Sequence, residues 1–143
     1  MTVAAILADK GRSVVMTTAS ASVAEAIAVL AKHEIGALVV VDGMENIVGI
    51  VSERDCVRAL ATGNADVLQG PVGAIMTHSV VTCRDADSID EVMKRMTRGR
   101  FRHVPVVTDG RLAGIVSIGD VVKARIEQVE REAADLRSYI VSA

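Results

Sequence analysis

Two aspartates stand at repeated positions in the chain. Asp55 ends the run Gly49-Ile50-Val51-Ser52-Glu53-Arg54-Asp55, and Asp120 ends Gly114-Ile115-Val116-Ser117-Ile118-Gly119-Asp120. In both, an apolar β-branched run closes on a serine and a carboxylate follows three residues later. An ionised carboxylate accepts hydrogen bonds and donates none, so it suits a pair of hydroxyls such as those of a ribose. Placed where a helix begins, it suits equally the role of N-cap. That helix start would offer unpaired N–H groups and the positive end of its dipole to an anion. For one copy alone the capping role is the better reading, and the repetition shifts the balance toward a ligand.

Other chemistry is sparse. His33, His78 and His103 are scattered, and no Ser/His/Asp or paired-carboxylate set can be assembled from neighbouring segments. Cys56 and Cys83 lack a second Cys or His at metal-ligand spacing and read as buried small hydrophobes. Gly114 to Gly119 has the glycines of a phosphate-binding loop, but Asp120-Val121 stands where that loop needs Lys and then Ser or Thr. Arg98, Arg100, Arg102 and His103 form a basic cluster, either a solvated surface or a phosphate contact. Lys plus Arg is 16 against 18 Asp plus Glu, a formal net charge of −2, which excludes a general nucleic-acid or membrane-surface binder. Phe101 and Tyr139 are the only aromatics although half of the chain is hydrophobic, so the core is aliphatic and base-stacking platforms are absent. With no leader pattern and no apolar run long enough to span a bilayer, the expectation is a cytoplasmic protein.

The elements that must hold the aspartates come twice. Thr2 to Leu7 is a short apolar segment, Lys10 to Ser13 a polar turn, and Val14 to Met16 a brief strand. Ser22-Val23-Ala24-Glu25 has the form of a capping box, and Val23, Ala26, Ile27 and Leu30 follow at helical spacing. Gly36 to Val41 is a continuous apolar run, a strand buried on both faces, and after the Asp42-Gly43 turn Ile47 to Val51 returns as a hairpin. The second half repeats the order. Pro71 to Met76 echoes Thr2 to Leu7, Ser79 to Thr82 is the short strand, and Ser88 to Glu91 is a second capping box. His103 to Val107 matches Gly36 to Val40, and Leu112 to Val116 returns to Ser117. Pro105 within an apolar strand implies an edge, or an N–H with no partner to lose. Such a unit cannot bury its open face alone, so two copies are expected to pack through their sheets about a pseudo-two-fold axis.

Two β-α-β-β-α units, each with an apolar strand, an Asp-Gly turn and Gly-Ile-Val-Ser-x-x-Asp, resemble a tandem pair of CBS domains, a Bateman module. The likeness runs from about Thr2 to Arg125 and includes Ala74-Ile75-Met76-Thr77 ahead of the second repeat. It implies an α/β fold with repeats over 2–69 and 70–125 and a helical tail over 126–143. It also implies a non-catalytic regulatory module that binds an adenine-containing ligand in clefts between the repeats. AMP, ATP or NAD stand ahead of S-adenosylmethionine, and no metal is required. Carried over position by position, Asp55 with Ser52 and Asp120 with Ser117 would hold the ribose, with Arg54 and Gly119 beside them. Gly36, Ala37 and Leu38, or His103, Val104 and Pro105, would meet the base. Arg102 would contact phosphate, and Thr17 and Thr82 complete the candidate contacts.

The tail carries apolar residues at Val122, Ile126, Val129, Ala133, Leu136 and Ile140, spaced four, three, four, three and four. That is a seam of about two and a half heptads. It suits a long helix packed on its own domain as well as pairing between chains. The expected assembly is a homodimer that signals through an unidentified downstream protein or through its own oligomer.

Overall fold

A computed structural model describes residues 1–142 as a mixed α/β protein. α1 (Val3–Lys10) continues one turn beyond the apolar segment, into the stretch expected as a turn, and Gly11 ends it at a φ of 93°. β1 (Met16–Thr17) pairs in parallel with β2 (Ala37–Val41), all of whose residues are buried. Between them α2 (Val23–His33) starts on the expected capping box. Glu25 N–H donates to Ser22 Oγ at 3.1 Å, and Ser22 N–H donates to Glu25 Oε2 at 3.4 Å. β3 (Ile47–Ser52) runs antiparallel to β2 with Ala37 opposite Ser52, and α3 (Glu53–Thr62) follows without a break.

The second repeat contains α4 (Ile89–Gly99), β4 (His103–Thr108), β5 (Arg111–Ser117) and α5 (Ile118–Ser142). β4 and β5 form a two-stranded sheet joined at Asp109 and Gly110, both at positive φ as a tight hairpin requires.

The chain folds into two compact units that are not contiguous in sequence. Among the described residues one holds Met1–Arg12, Thr82–Thr108 and Gly114–Ser142; the other holds Ser13–Val81 and Asp109–Ala113. In the first unit Val3, Ile6 and Leu7 of α1 join Cys83, Ile89, Val92, Met96, Val104, Val106, Val116, Val121 and Ala124 in one aliphatic core. In the other, Val72 joins Val23, Ala26, Leu30, Leu38, Val40, Val51 and Cys56. The echo between Thr2–Leu7 and Pro71–Met76 acquires a physical meaning here. Val3 N–H donates to Asp87 O beside Ser88, and Val72 N–H donates to Ala21 O beside Ser22, so each segment lies against the start of a repeat's first helix. The two differ in form, since Val72–Ala74 makes only a single 3-10 turn.

Three expectations need correction. Residues 79–82 form no strand; the pairing that replaces it is a single parallel bridge between Cys83 and Val106. In the first repeat Val39 N–H donates to Val15 O. The residue in Val39's place is Pro105, which has no N–H to donate, so the ladder cannot extend backward. This register also moves the alignment by one residue: Thr17 pairs with Val40 as Cys83 pairs with Val106, so Ala37 rather than Gly36 is the counterpart of His103. The capping box at Ser88 is half made. Glu91 N–H donates to Ser88 Oγ, while the Glu91 carboxylate turns toward Arg95, 3.8 Å away. α5, for which the sequence leaves two packings open, is one continuous helix in which only Val121 and Ala124 are buried. Val122, Ile126, Val129, Leu136 and Ile140 are 44–65% exposed, so the seam does not pack on the chain's own domain.

Candidate functional site

Each helix that follows a hairpin is started by the serine, not by the aspartate. Ser52 is the N-cap of α3 and Asp55 lies three residues on, the two closing a capping box. Asp55 N–H donates to Ser52 Oγ at 3.3 Å, while Ser52 N–H and Ser52 Oγ–H donate to Asp55 Oδ2 at 2.8 and 3.1 Å. Ser117 and Asp120 repeat the arrangement, with Asp120 N–H to Ser117 Oγ at 3.2 Å and Ser117 N–H to Asp120 Oδ2 at 2.8 Å. The expectation that Asp is the N-cap is thus off by three residues, for a physical reason. A serine reaches the amide three residues on, and a carboxylate there reaches back to the serine's own N–H. In both copies the bonds fall on Oδ2, and Oδ1 accepts no hydrogen bond among the described residues.

The surroundings differ. Lys10, from the last turn of α1, donates to Asp120 Oδ2 at 2.7 Å and to Ile115 O at 3.0 Å. Burial works to raise the Asp120 pKa, but the Lys10 hydrogen bond, the Ser117 amide and the Lys10 charge outweigh it and hold the carboxyl below its ordinary value. Among the described residues Asp55 has no ion pair. The residue before the aspartate is exposed Arg54 in one copy and Gly119 in the other.

Both helix starts are tied to the apolar strand beside them. Glu53 N–H donates to Gly36 O at 3.0 Å, and Ile118 N–H donates to Arg102 O at 2.8 Å. Gly36 is therefore brought to Ser52 and Asp55, and Arg102 to Ser117 and Asp120. Leu38 and Val104 are fully buried, each in its unit's aliphatic core, and Ala37 and Pro105 are buried as well. His103 is half-buried at the start of β4. Thr17 lies in β1, whereas Thr82 precedes the Cys83 bridge and its carbonyl accepts from Arg95 Nη1 at 3.2 Å; the two threonines are not equivalent positions. Arg98 is in the last turn of α4, Arg100 closes that helix at a φ of 56°, and both are exposed, as is Arg102. Among the described residues none of these three arginines is ion-paired.

Two features carry no functional signal in the sequence. Lys10 lies 110 positions from its partner Asp120, beyond the reach of any local pattern. The glycines that open the two motifs are packing residues. A Cβ on Gly114 would come within 2.9 Å of Leu7, and one on Gly49 within 2.6 Å of Met76 Sδ and 2.9 Å of Thr77 O. Burial raises the thiol pKa of both cysteines, that of Cys83 to about 12 with the charge of Asp87 adding to it. Among the described residues no group of three or more His, Cys, Asp or Glu is arranged to hold a metal ion, and no helix is long and apolar enough to cross a membrane.

A family model described as the CBS domain matches residues 8–62 and again residues 72–127. The chain is similar to the crystal structure of the CBS-domain-containing protein ATU1752 of Agrobacterium tumefaciens, with 50% identity and a TM-score of 0.86 over 87% of this chain and 99% of that one. It is similar to the CBS domain pair of protein MJ0100 solved with methylthioadenosine and S-adenosyl-L-methionine, with 31% identity and a TM-score of 0.74 over 87% and 98%. Among curated proteins, the mitochondrial CBS domain-containing protein CBSX3 of Arabidopsis thaliana is 33% identical over 97% of this chain and 71% of its own length. An L-aspartate semialdehyde sulfurtransferase of Methanocaldococcus jannaschii is 35% identical over 70% of the chain, a match covering 19% of that enzyme.

Proposed function

Because the chain belongs to the CBS-domain family and carries two such domains, we propose that it is a regulatory module without catalysis, binding an adenosine-containing ligand at its two Ser-x-x-Asp helix starts. The observation that carries this reading is the division of labour within each carboxylate. Oδ2 is committed to the helix start, and Oδ1 is left to accept from a ribose hydroxyl. The MJ0100 domain pair, solved with two ligands that each contain adenosine, supports the ligand class. AMP, ATP and NAD remain the first candidates, and S-adenosylmethionine and methylthioadenosine join them on the strength of that relative. In this reading Arg102, with Arg98, Arg100 and His103 nearby in sequence, gives the second repeat the better phosphate contact, while Arg54 serves the first. The protein works in the cytoplasm as a homodimer and passes its state to a downstream protein.

A second reading has its own support. Both aspartates are accounted for as capping-box members with no ligand at all, as a structural or interaction protein would have them. A thermal-shift panel of AMP, ADP, ATP, NAD, S-adenosylmethionine and methylthioadenosine separates the two. A ligand at about one hundred times its dissociation constant stabilises the fold by about 2.7 kcal/mol. A flat response to every compound at millimolar concentration decides for the ligand-free reading.

A further inference from the structure

We propose that the exposed seam of α5 pairs with the same seam of a second copy as a parallel, in-register coiled coil. This rests on the homodimer reading above and adds its geometry. The seam begins in an apolar hollow of about 510 Å³ lined by Ile118, Gly119, Val122, Lys123, Ile126 and Glu127, and it continues along the helix through Val129, Ala133, Leu136 and Ile140. A helix of 25 residues extends about 37 Å, and the seam occupies most of it.

The choice of occupant comes from the charges that flank the seam. Arg125, Glu132 and Tyr139 each precede a seam residue, and Lys123, Glu130 and Arg137 each follow one. In a parallel pair the flanking residue before one seam position faces the residue five places further on in the other copy. Arg125 then meets Glu130, and Glu132 meets Arg137, each contact occurring twice by symmetry. An antiparallel pair with full overlap brings Glu130 against Glu130, Glu132 against Glu132 and Lys123 against Arg137, all like-charged. The seam is therefore self-complementary in one direction only. Within one chain Arg125 lies 3.6 Å from Asp90 and Glu132 Oε1 accepts from Gln128 Nε2 at 3.3 Å, while Arg137 has no ion pair among the described residues.

The test uses the full chain, with Val129→Cys and Leu136→Cys made separately; the native thiols are buried. Parallel in-register pairing gives rapid disulfide-linked dimers from both variants, whereas an antiparallel pair can place at most one of these residues opposite itself. Glu132→Lys should weaken the dimer on the order of tenfold by sedimentation, since two attractive contacts become repulsive. Adding Arg137→Glu to it should restore the affinity. Leu136→Asp should weaken it by about a hundredfold or more, because it buries an unpaired charge. A chain that sediments as a dimer yet links at neither cysteine, or keeps its affinity with Leu136→Asp, overturns the seam and leaves the homodimer reading standing. Linking at one cysteine only, or failure of the charge swap to restore pairing, overturns the parallel direction. A monomer at all micromolar concentrations overturns both.

Discussion

The two Ser-x-x-Asp corners have the same backbone task and different neighbours. Both serines cap a helix and both aspartates return the bond through Oδ2. Only Asp120 also holds an ammonium, that of Lys10, and only Asp55 follows an arginine. The comparison teaches that the repeated motif is in the first place a folding device, a strand ending locked to a helix start. What distinguishes the two corners lies in residues the motif leaves variable or does not contain.

The largest effect expected from breaking this comparison lies away from the carboxylates. Leu7 is 1% exposed and packs over Gly114, so Leu7→Ala should cost about 2–5 kcal/mol in denaturant unfolding, through lost burial and a cavity. A loss under 1 kcal/mol would mean that α1 is not part of that core. Next come the ligand contacts. Asp55→Asn and Asp120→Asn keep a side chain that can accept the serine amide, but lose the charge. Each should weaken AMP or S-adenosylmethionine binding at its own corner by about 1.5–3 kcal/mol in calorimetry. If both leave affinity unchanged, the ribose role is wrong.

Smaller still is the contrast between the glycines. Gly49→Ala meets a backbone carbonyl, Thr77 O, and should cost about 1–3 kcal/mol; Gly114→Ala meets only the end of the Leu7 side chain and should cost less. Equal thermal shifts would show that Leu7 is held as rigidly as backbone. The smallest effect is that of Lys10→Met, about 0.5–1 kcal/mol for a pair with half-buried partners. Its signature is in pH. The folded-state pKa of Asp120 lies below its ordinary value of 3.8, so the pair's contribution is present above that value and is lost as pH falls through the lowered one. Lys10→Met should therefore flatten the acid limb of the stability curve below about pH 4 while leaving neutral pH nearly parallel. An unchanged acid limb would assign the shift to Ser117 alone.

Much of this was legible in the sequence because it is local. The apolar run Ala37–Val41, the Ser22–Glu25 box and the hairpin returns all express short-range rules and appear where those rules place them. The serine and aspartate were visible as a pair, but their roles at the helix start were inverted. A three-residue spacing fixes that two side chains meet, not which of them caps. The missing strand at 79–82 was written in Pro105, yet reading it needed the register of the bridge between Cys83 and Val106, which two isolated segments do not reveal. Lys10 at Asp120 and Leu7 over Gly114 were illegible for a different reason. Both join residues more than a hundred positions apart, and sequence spacing carries no information about such contacts.

That separation has a consequence for how the protein is made. Val3, Ile6 and Leu7 are made more than a hundred residues ahead of Val116, Val121 and Ala124, which the core they share also needs. Ser13 to Val81 can begin to condense while translation continues. α1 must meanwhile wait, apolar face uncovered, until the strand and helix that carry Val116, Val121 and Ala124 have been made. During that interval the uncovered face of α1 is open to a chaperone or to misassembly. Slowing synthesis between the two repeats should lengthen that exposure without altering a single contact of the finished fold.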